Sequence, residues 1–226
     1  IAVSRDLADK TIALGAPAER TVVVPNGVDR DLFFPRDRAQ ARRTLGLPGD
    51  ARLIVYGGRV EPAKGIRELL TAFEKIAAAD SKAALAIVGG GSLKARCEEA
   101  AAALPGRIHV AGPRPLAEVS TWVAASDLLT LPSHNEGTPN VVLEALAGGR
   151  RVVATNVGGI PDLITSPTLG ELVPPRDPDA LAGALLRVLA EPGDAAAISA
   201  AGPVTWDESA QILADVLRAA IADPAP

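Results

Sequence analysis

From residue 52 to residue 191, short apolar runs with strand character alternate with helical stretches, and few architectures accommodate that alternation. The runs are RLIVYGG (52–58), KAALAIVGGG (82–91), RIHVAG (107–112), LLTLP (128–132), RVVATNVGG (151–159) and GELVPP (170–175). GIRELLTAFEKIAAA (65–79) follows the first run and carries Leu69, Leu70, Phe73 and Ile76 on one side. SLKARCEEAAAAL (92–104), with Ser92 as its expected cap, follows the second, and LAEVSTWVAAS (116–126), with Trp122 inward, follows the third. RLIVYGG is apolar at both residue parities, which suits a central strand covered on both faces. The pattern predicts an α/β fold with a doubly wound parallel sheet whose body is 51–190.

The boundaries follow from the same pattern. Residues 1–50 form a lead-in with a helix, a strand over ERTVVVPNG (19–27) and a short helix near the basic stretch 36–43, whose arginines are expected on a solvated face. Residues 51–204 form the main domain. In 205–226, Thr205 and Glu208 are spaced for a capping box, and Trp206, Ile212, Leu213, Val216 and Leu217 form one apolar side. The connection GDAAAISAAGPV before it is expected to be loose. The chain opens Ile1-Ala2-Val3 without an initiator methionine, so it is expected to be part of something longer.

Composition removes several function classes. Net charge is −4 and only six aromatic side chains of the Phe, Tyr and Trp type are present, so no basic stripe interleaved with aromatics suits nucleic acid. Cys97 is the single cysteine and reads as a small buried residue, which leaves no disulfide framework. His109 falls within a strand and reads as structural. His134 stands near Glu136 and is a candidate ligand contact, but two histidines in unrelated segments suggest no metal site. No apolar run reaches the length of a membrane span and no signal peptide is visible, so a cytoplasmic location is expected, with peripheral membrane attachment left open.

In a doubly wound sheet, ligands bind beyond the carboxyl ends of the strands. There the sequence places Gly58, Arg59 and Lys64 after the first run, Gly89, Gly90 and Gly91 after the second, and SHNEGTPN after the fourth. Glycine lets a ligand approach the backbone, while Arg59 offers a fork of donors and Lys64 a mobile charge. Together they suit a diphosphate, although Arg59 pairing with Glu61, and a solvated Lys64, are equally simple readings. Neither GxGxxG after the first strand nor GxxxxGK[ST] occurs. Thr138 is expected to cap a helix, with Pro139 at its first position and free amides at Asn140 and Val141. Asn140 and Glu144 share a face of that helix. A carboxylate at Glu144 in a cleft needs donors, which the vicinal hydroxyls of a ribose would supply; an ion pair with Arg150 or Arg151 is the alternative. Glu136 could hold hydroxyls of a second ring or be an ordinary loop residue. Ser133, His134 and Glu136 crowd one loop, but such neighbours rarely form a catalytic triad.

Taken in order, VPNGVDRDLFFP (24–35), GGRVEPAKGIRELLTAF (57–73), AIVGGGSLKARCEEAA (86–101), the stretch from PSHNEGTPNVVLEALAGG to DLI (132–164) and GELVPPRDPDALAGAL (170–185) resemble the C-terminal domain of retaining group 1 (family 4) glycosyltransferases of the GT-B fold. The resemblance implies a Rossmann-like domain that binds a nucleotide diphosphate sugar, such as a UDP-, GDP- or ADP-sugar. It implies an enzyme of the hexosyltransferase type, with no cofactor and no metal. Glu136 and Glu144 resemble the two glutamates of the family's E-x7-E motif, near the donor sugar and on the ribose respectively. Arg59 and Lys64 resemble its diphosphate-holding pair. Gly137, Thr138, Pro139, Asn140 and Val141 would contact sugar and phosphate, Gly58 and Gly90 would border the donor, and Arg114 lies where the base is usually bracketed.

This chain has Thr138-Pro139-Asn140 where many relatives have Phe-Gly-Leu, a variant also found among relatives that build cell-surface polysaccharides. The resemblance further implies an N-terminal domain that binds a sugar or lipid-linked acceptor, towards which 205–226 would pack, so this chain alone is expected to bind the donor and transfer poorly. The alternatives within reach are a nucleotide-sugar 2-epimerase of the GT-B fold and a nucleotide-binding module without catalysis.

Overall fold

The computed structural model describes residues 1–222. Six strands form one sheet, and all are parallel: β1 (Arg52–Gly57), β2 (Ala83–Val88), β3 (Ile108–Gly112), β4 (Leu128–Leu131), β5 (Arg151–Thr155) and β6 (Gly170–Val173), in the spatial order β3-β2-β1-β4-β5-β6. The order reverses between β1 and β4, so their carboxyl ends flank the sheet's switch point. Helices α3 (Ile66–Ala79), α4 (Lys94–Ala103), α5 (Leu116–Ala125), α6 (Asn140–Ala147) and α7 (Pro178–Ala190) connect or follow the strands. Helices α1 (Arg5–Ala13) and α2 (Arg38–Thr44) precede them, and α8 (Ala195–Ala200) and α9 (Trp206–Ala222) close the described chain.

The period-two alternation of β1 and β2 supplies both cores. Ile54, Tyr56, Leu85 and Ile87 pack with Leu69, Phe73 and Ile76 of α3. Leu53, Val55, Ala84, Ala86 and Val88 pack with Trp122 of α5 and Ala41 of α2. This double coverage makes β1 and β2 read as continuous apolar runs. Cys97 is buried on the α3 side, where burial pushes its thiol up to about 11. His109 lies in β3, where burial lowers its pKa and its Nε2 has no hydrogen-bond partner among the described residues.

Several expectations fail for tertiary reasons. ERTVVVPNG is not a strand: Val23 makes one isolated parallel bridge with Ala2, and Ala18–Arg20 is a short 3-10 turn. β-Branched residues become a strand only beside a neighbouring strand, and residues 1–3 offer a single bonded position. Ser92 does not cap α4, which starts at Lys94; its hydroxyl and amide instead donate to Glu61. Arg42 is not on a solvated face but 3% exposed, donating to the Ala125 and Gly49 carbonyls and to Asp127. It thereby ties α2 to the carboxyl end of α5. The connection 193–204 is not loose: Asp194 caps α8, Ile198 is buried, and Ser199 Oγ donates to the Ala147 carbonyl at the end of α6.

The capping box at Thr205 forms, since Glu208 N–H donates to Thr205 Oγ1 and Thr205 N–H to Glu208 Oε2. The apolar side of α9 remains open, with Trp206 and Leu217 each 49% exposed. The expected terminal helix extends to residue 226, and its last four residues lie outside the described ones. No helix among the described residues is long and apolar enough to cross a membrane.

Candidate functional site

Two loops build the site. The first leaves β1 through Gly57 and Gly58 and is held by the Tyr56 hydroxyl, which donates to the Arg59 carbonyl at 2.6 Å. It then coils as a 3-10 turn, Pro62–Lys64, and enters α3 through Gly65. Gly65 has φ 67°, and a Cβ there would stand 1.9 Å from the Pro132 carbonyl oxygen. Only glycine lets the two loops approach this closely.

The second loop follows β4. His134 N–H donates to the Ala63 carbonyl at 2.9 Å, and His134 Nε2 lies 3.0 Å from Glu68 Oε1. The imidazole is therefore engaged with α3 and takes no part in a triad with Ser133. Lys64 Nζ and Ser133 Oγ both donate to Glu136 Oε1, each at 2.6 Å. Lys64 is thus ion-paired, with a side chain only 16% exposed, contrary to the solvated alternative. Glu61 does not pair with Arg59: Ser92 takes its carboxylate, and those hydrogen bonds hold it below the usual carboxylate range.

Helix α6 starts one residue later than the sequence suggests. Pro139 is the N-cap, without a side-chain capping bond, and Thr138 is not a cap at all. Its hydroxyl donates to the Val3 carbonyl at 2.5 Å and accepts from no helix amide, because the helix starts one residue further on. The first-turn amides of Asn140 and Val141 have no acceptor among the described residues and stand at the positive end of the helix dipole. Val141 packs directly on Gly57, where a Cβ would come within 2.7 Å of its Cγ2. Asn26 Nδ2, from the lead-in, donates to Asn140 Oδ1 at 3.1 Å.

These elements enclose a cleft of about 440 Å³ at the carboxyl ends of β1 and β4. Gly58, Arg59, Lys64, Glu136, Pro139, Asn140 and Val141 line it, joined by Tyr56, Gly57 and Leu131, which the sequence did not single out. Thr138 and Gly137 are not among the lining residues; the Gly137 carbonyl accepts from Gly159 N–H. Gly90 sits at the neighbouring strand end, with its carbonyl accepting from Val60 N–H. Arg114 is also outside the lining: it donates to the Ala111 carbonyl and pairs with Glu118 at 3.4 Å.

Glu144 lies one turn into α6. Arg150 donates to the Val123, Ala124 and Arg36 carbonyls, and Arg151 to those of Glu191 and Pro167, so neither forms the expected alternative ion pair. The Glu144 carboxyl makes no side-chain hydrogen bond among the described residues, and burial pushes its pKa up to about 7. Asn26 is a polar group that sequence reasoning passed over, and Ser133 was weighed only as a triad member, not as a partner of Glu136. Their only signal was a small polar residue in a strand-end loop and an asparagine before glycine, neither of which names its partner.

A family profile described as glycosyl transferases group 1 matches residues 51–191. Similar proteins include a D-inositol 3-phosphate glycosyltransferase of Thermobispora bispora, 36% identical over 222 residues covering 91% of this chain and 52% of the relative. One from Xylanimonas cellulosilytica is 34% identical, with 96% and 55% covered. The chain spans about half the length of these curated relatives. Among solved structures, a sucrose-phosphate synthase from Thermosynechococcus elongatus aligns with a TM-score of 0.84 at 28% identity, covering 98% of this chain and 58% of that one. Anabaena HepE in complex with UDP and glucose aligns with a TM-score of 0.78 at 25% identity, covering 96% and 62%.

Proposed function

The chain belongs to the group 1 glycosyltransferases, and from that premise we propose that its cleft is the donor half-site of a retaining enzyme that moves a hexose from a nucleotide diphosphate sugar to an acceptor. The observation that carries the reading is the set of groups assembled at the switch point. Two cations, Arg59 and Lys64, line one cleft together with Asn140 and Val141, whose amides are open, and Glu144, outside that lining, lies a turn further along α6 with no donor among the described residues.

The chemistry follows from that set. As the bond from the sugar to the diphosphate breaks, negative charge grows on the leaving phosphate. Arg59 and the Asn140 and Val141 amides would receive that charge, and Lys64 would join them by turning from Glu136. The ribose hydroxyls would donate to Glu144, restoring the hydrogen bonds its buried carboxyl lacks. Glu136, an anion lining the same cleft, would accept from hydroxyls of the transferred sugar. Its carboxylate is given no nucleophilic role.

HepE was solved with UDP and glucose, which favours uridine as the first base to test. The Thr138-Pro139-Asn140 segment favours an acceptor in cell-surface polysaccharide or glycoconjugate synthesis. In this reading the acceptor, sugar or lipid-linked, is held by further length of the kind the relatives possess, and the open apolar side of α9 packs towards it.

The test is calorimetric titration of the chain with UDP, GDP and ADP, alongside Glu144→Ala and Lys64→Ala. One diphosphate binding tightest, with affinity lost in both variants, supports the donor half-site. Binding that survives both substitutions refutes it.

A further inference from the structure

Glu136 Oε1 receives two hydrogen bonds at the same length, but the donors differ in kind. Lys64 is a flexible ammonium on the cleft wall, where an incoming diphosphate would compete for it. Ser133 is fully buried, and its hydroxyl has one acceptor, Glu136 Oε1. Its own carbonyl accepts from Thr155 Oγ1, a buried side chain at the end of β5, at 2.5 Å. The Glu136 carbonyl is seated against Gly158, where φ is 55° and a Cβ would lie 1.8 Å from that oxygen. The Glu136 main chain and one carboxylate oxygen are therefore fixed from the β5 side, by groups outside the cleft lining. Among the described residues, Oε2 receives no hydrogen bond.

Resting on the donor-site reading above, we infer that Ser133 is a positioning residue that fixes the Glu136 carboxylate so that Oε2 recognises the hexose of the donor. When Lys64 turns to the diphosphate, the Ser133 hydroxyl is the bond that remains. A free carboxylate in that loop would otherwise rotate about its own side chain, and an acceptor that must be ordered on binding contributes less. Ser133 acts on sugar recognition through Glu136 and leaves nucleotide recognition to Arg59, Lys64 and Glu144.

The separation is measurable. The unmodified chain, Ser133→Ala, Glu136→Ala and the double variant are titrated calorimetrically with UDP and UDP-glucose, with the GDP and ADP pairs run in parallel. Circular dichroism and the thermal midpoint report folding. Ser133→Ala is expected to weaken the sugar nucleotide about tenfold, the scale of one hydrogen bond to a charged group, and the bare nucleotide less than about twofold. It should weaken neither further when Glu136 is already alanine. Thr155→Val, which removes the bond under Ser133 while keeping the shape, should change the same ratio in the same direction, and it serves if Ser133→Ala does not fold. Equal weakening of nucleotide and sugar nucleotide, an unchanged ratio, or an additive effect in the Glu136→Ala background overturns the inference while leaving the donor site intact. Failure of the unmodified chain to bind any of the three pairs overturns the donor-site reading and this inference with it.

Discussion

Replacing Glu144 with glutamine should make the chain more stable and its donor site worse, and pH separates the two effects. The carboxyl moves from its ordinary value of 4.5 to about 7 because burial penalises the anion and no neighbour compensates it. The sign follows from proton binding. Between those two values the folded chain holds a proton on Glu144 that the unfolded chain has released, so stability falls as pH rises through the window. Above it, both states are ionised and the full penalty of burying the anion is present. Moving from 4.5 to about 7 corresponds to at most about 3 kcal/mol, and partial solvent access brings the figure nearer to about 2 kcal/mol. Glutamine keeps the size and loses the titration. Unfolding free energies from urea denaturation of both proteins, read at intervals from about pH 4 to about pH 8.5, should therefore coincide at the acid end and separate by about 2–3 kcal/mol at the alkaline end, glutamine being the more stable. Donor binding should show the converse. Ribose hydroxyls that bond the anion release the proton, so calorimetry near neutral pH in buffers of different ionisation enthalpy should show proton release, absent in Glu144→Gln. A stability difference that stays constant with pH, or that favours glutamate at the alkaline end, would refute the assignment of a strained buried carboxyl.

Other substitutions probe the supports of the site. Gly158→Ala places a Cβ against the Glu136 carbonyl at a φ of 55°, so it should cost more than about 3 kcal/mol in urea and remove donor binding together with it. Arg42→Met removes three hydrogen bonds, to Gly49, Ala125 and Asp127, at the opposite end of the sheet; it should cost about 3 kcal/mol in thermal denaturation while the donor dissociation constant stays within about twofold. Thr205→Ala opens the capping box of α9 and should cost about 1 kcal/mol by the same assay.

The sheet was legible because its central strands are buried on both faces, so each appears as a continuous apolar run whatever packs on it. ERTVVVPNG has the same β-branched composition, yet it lacks a neighbouring strand and remains an extended lead-in with one bridge. Composition records what a segment tolerates; pairing decides what it becomes. Arg42 was misplaced for a related reason. An arginine among alanines looks solvated until a helix end with open carbonyls is brought beside it, as Val123, Ala124 and Ala125 of α5 are by Arg42 and Arg150.

The site divides along the same line. Arg59, Lys64, Glu136 and the start of α6 follow strand ends, and strand ends of a parallel sheet are readable from periodicity alone. Which oxygen of Glu136 is held, and by what, depends on Ser133 reaching back three residues while Thr155 secures it from another strand. Thr138 illustrates the limit most sharply. Its sequence context before Pro139 satisfies the local rules for a helix cap, but the helix starts one residue later, with Pro139 at the cap, and the Thr138 hydroxyl donates to the Val3 carbonyl across the chain. Left without a side-chain cap, the amides of Asn140 and Val141 stay open to the cleft. With proline at the N-cap, the helix end is left free for an anionic ligand. Thr138→Val therefore tests whether the lead-in contributes to that end: the helix should persist, because its core residues Val142, Leu143 and Leu146 are buried. Losing the tether to Val3 should weaken UDP by less than about fivefold, the scale of one neutral hydrogen bond acting at one remove. A loss on the scale of the Lys64→Ala variant would mean that the lead-in, and not the sheet, sets the geometry of the phosphate end.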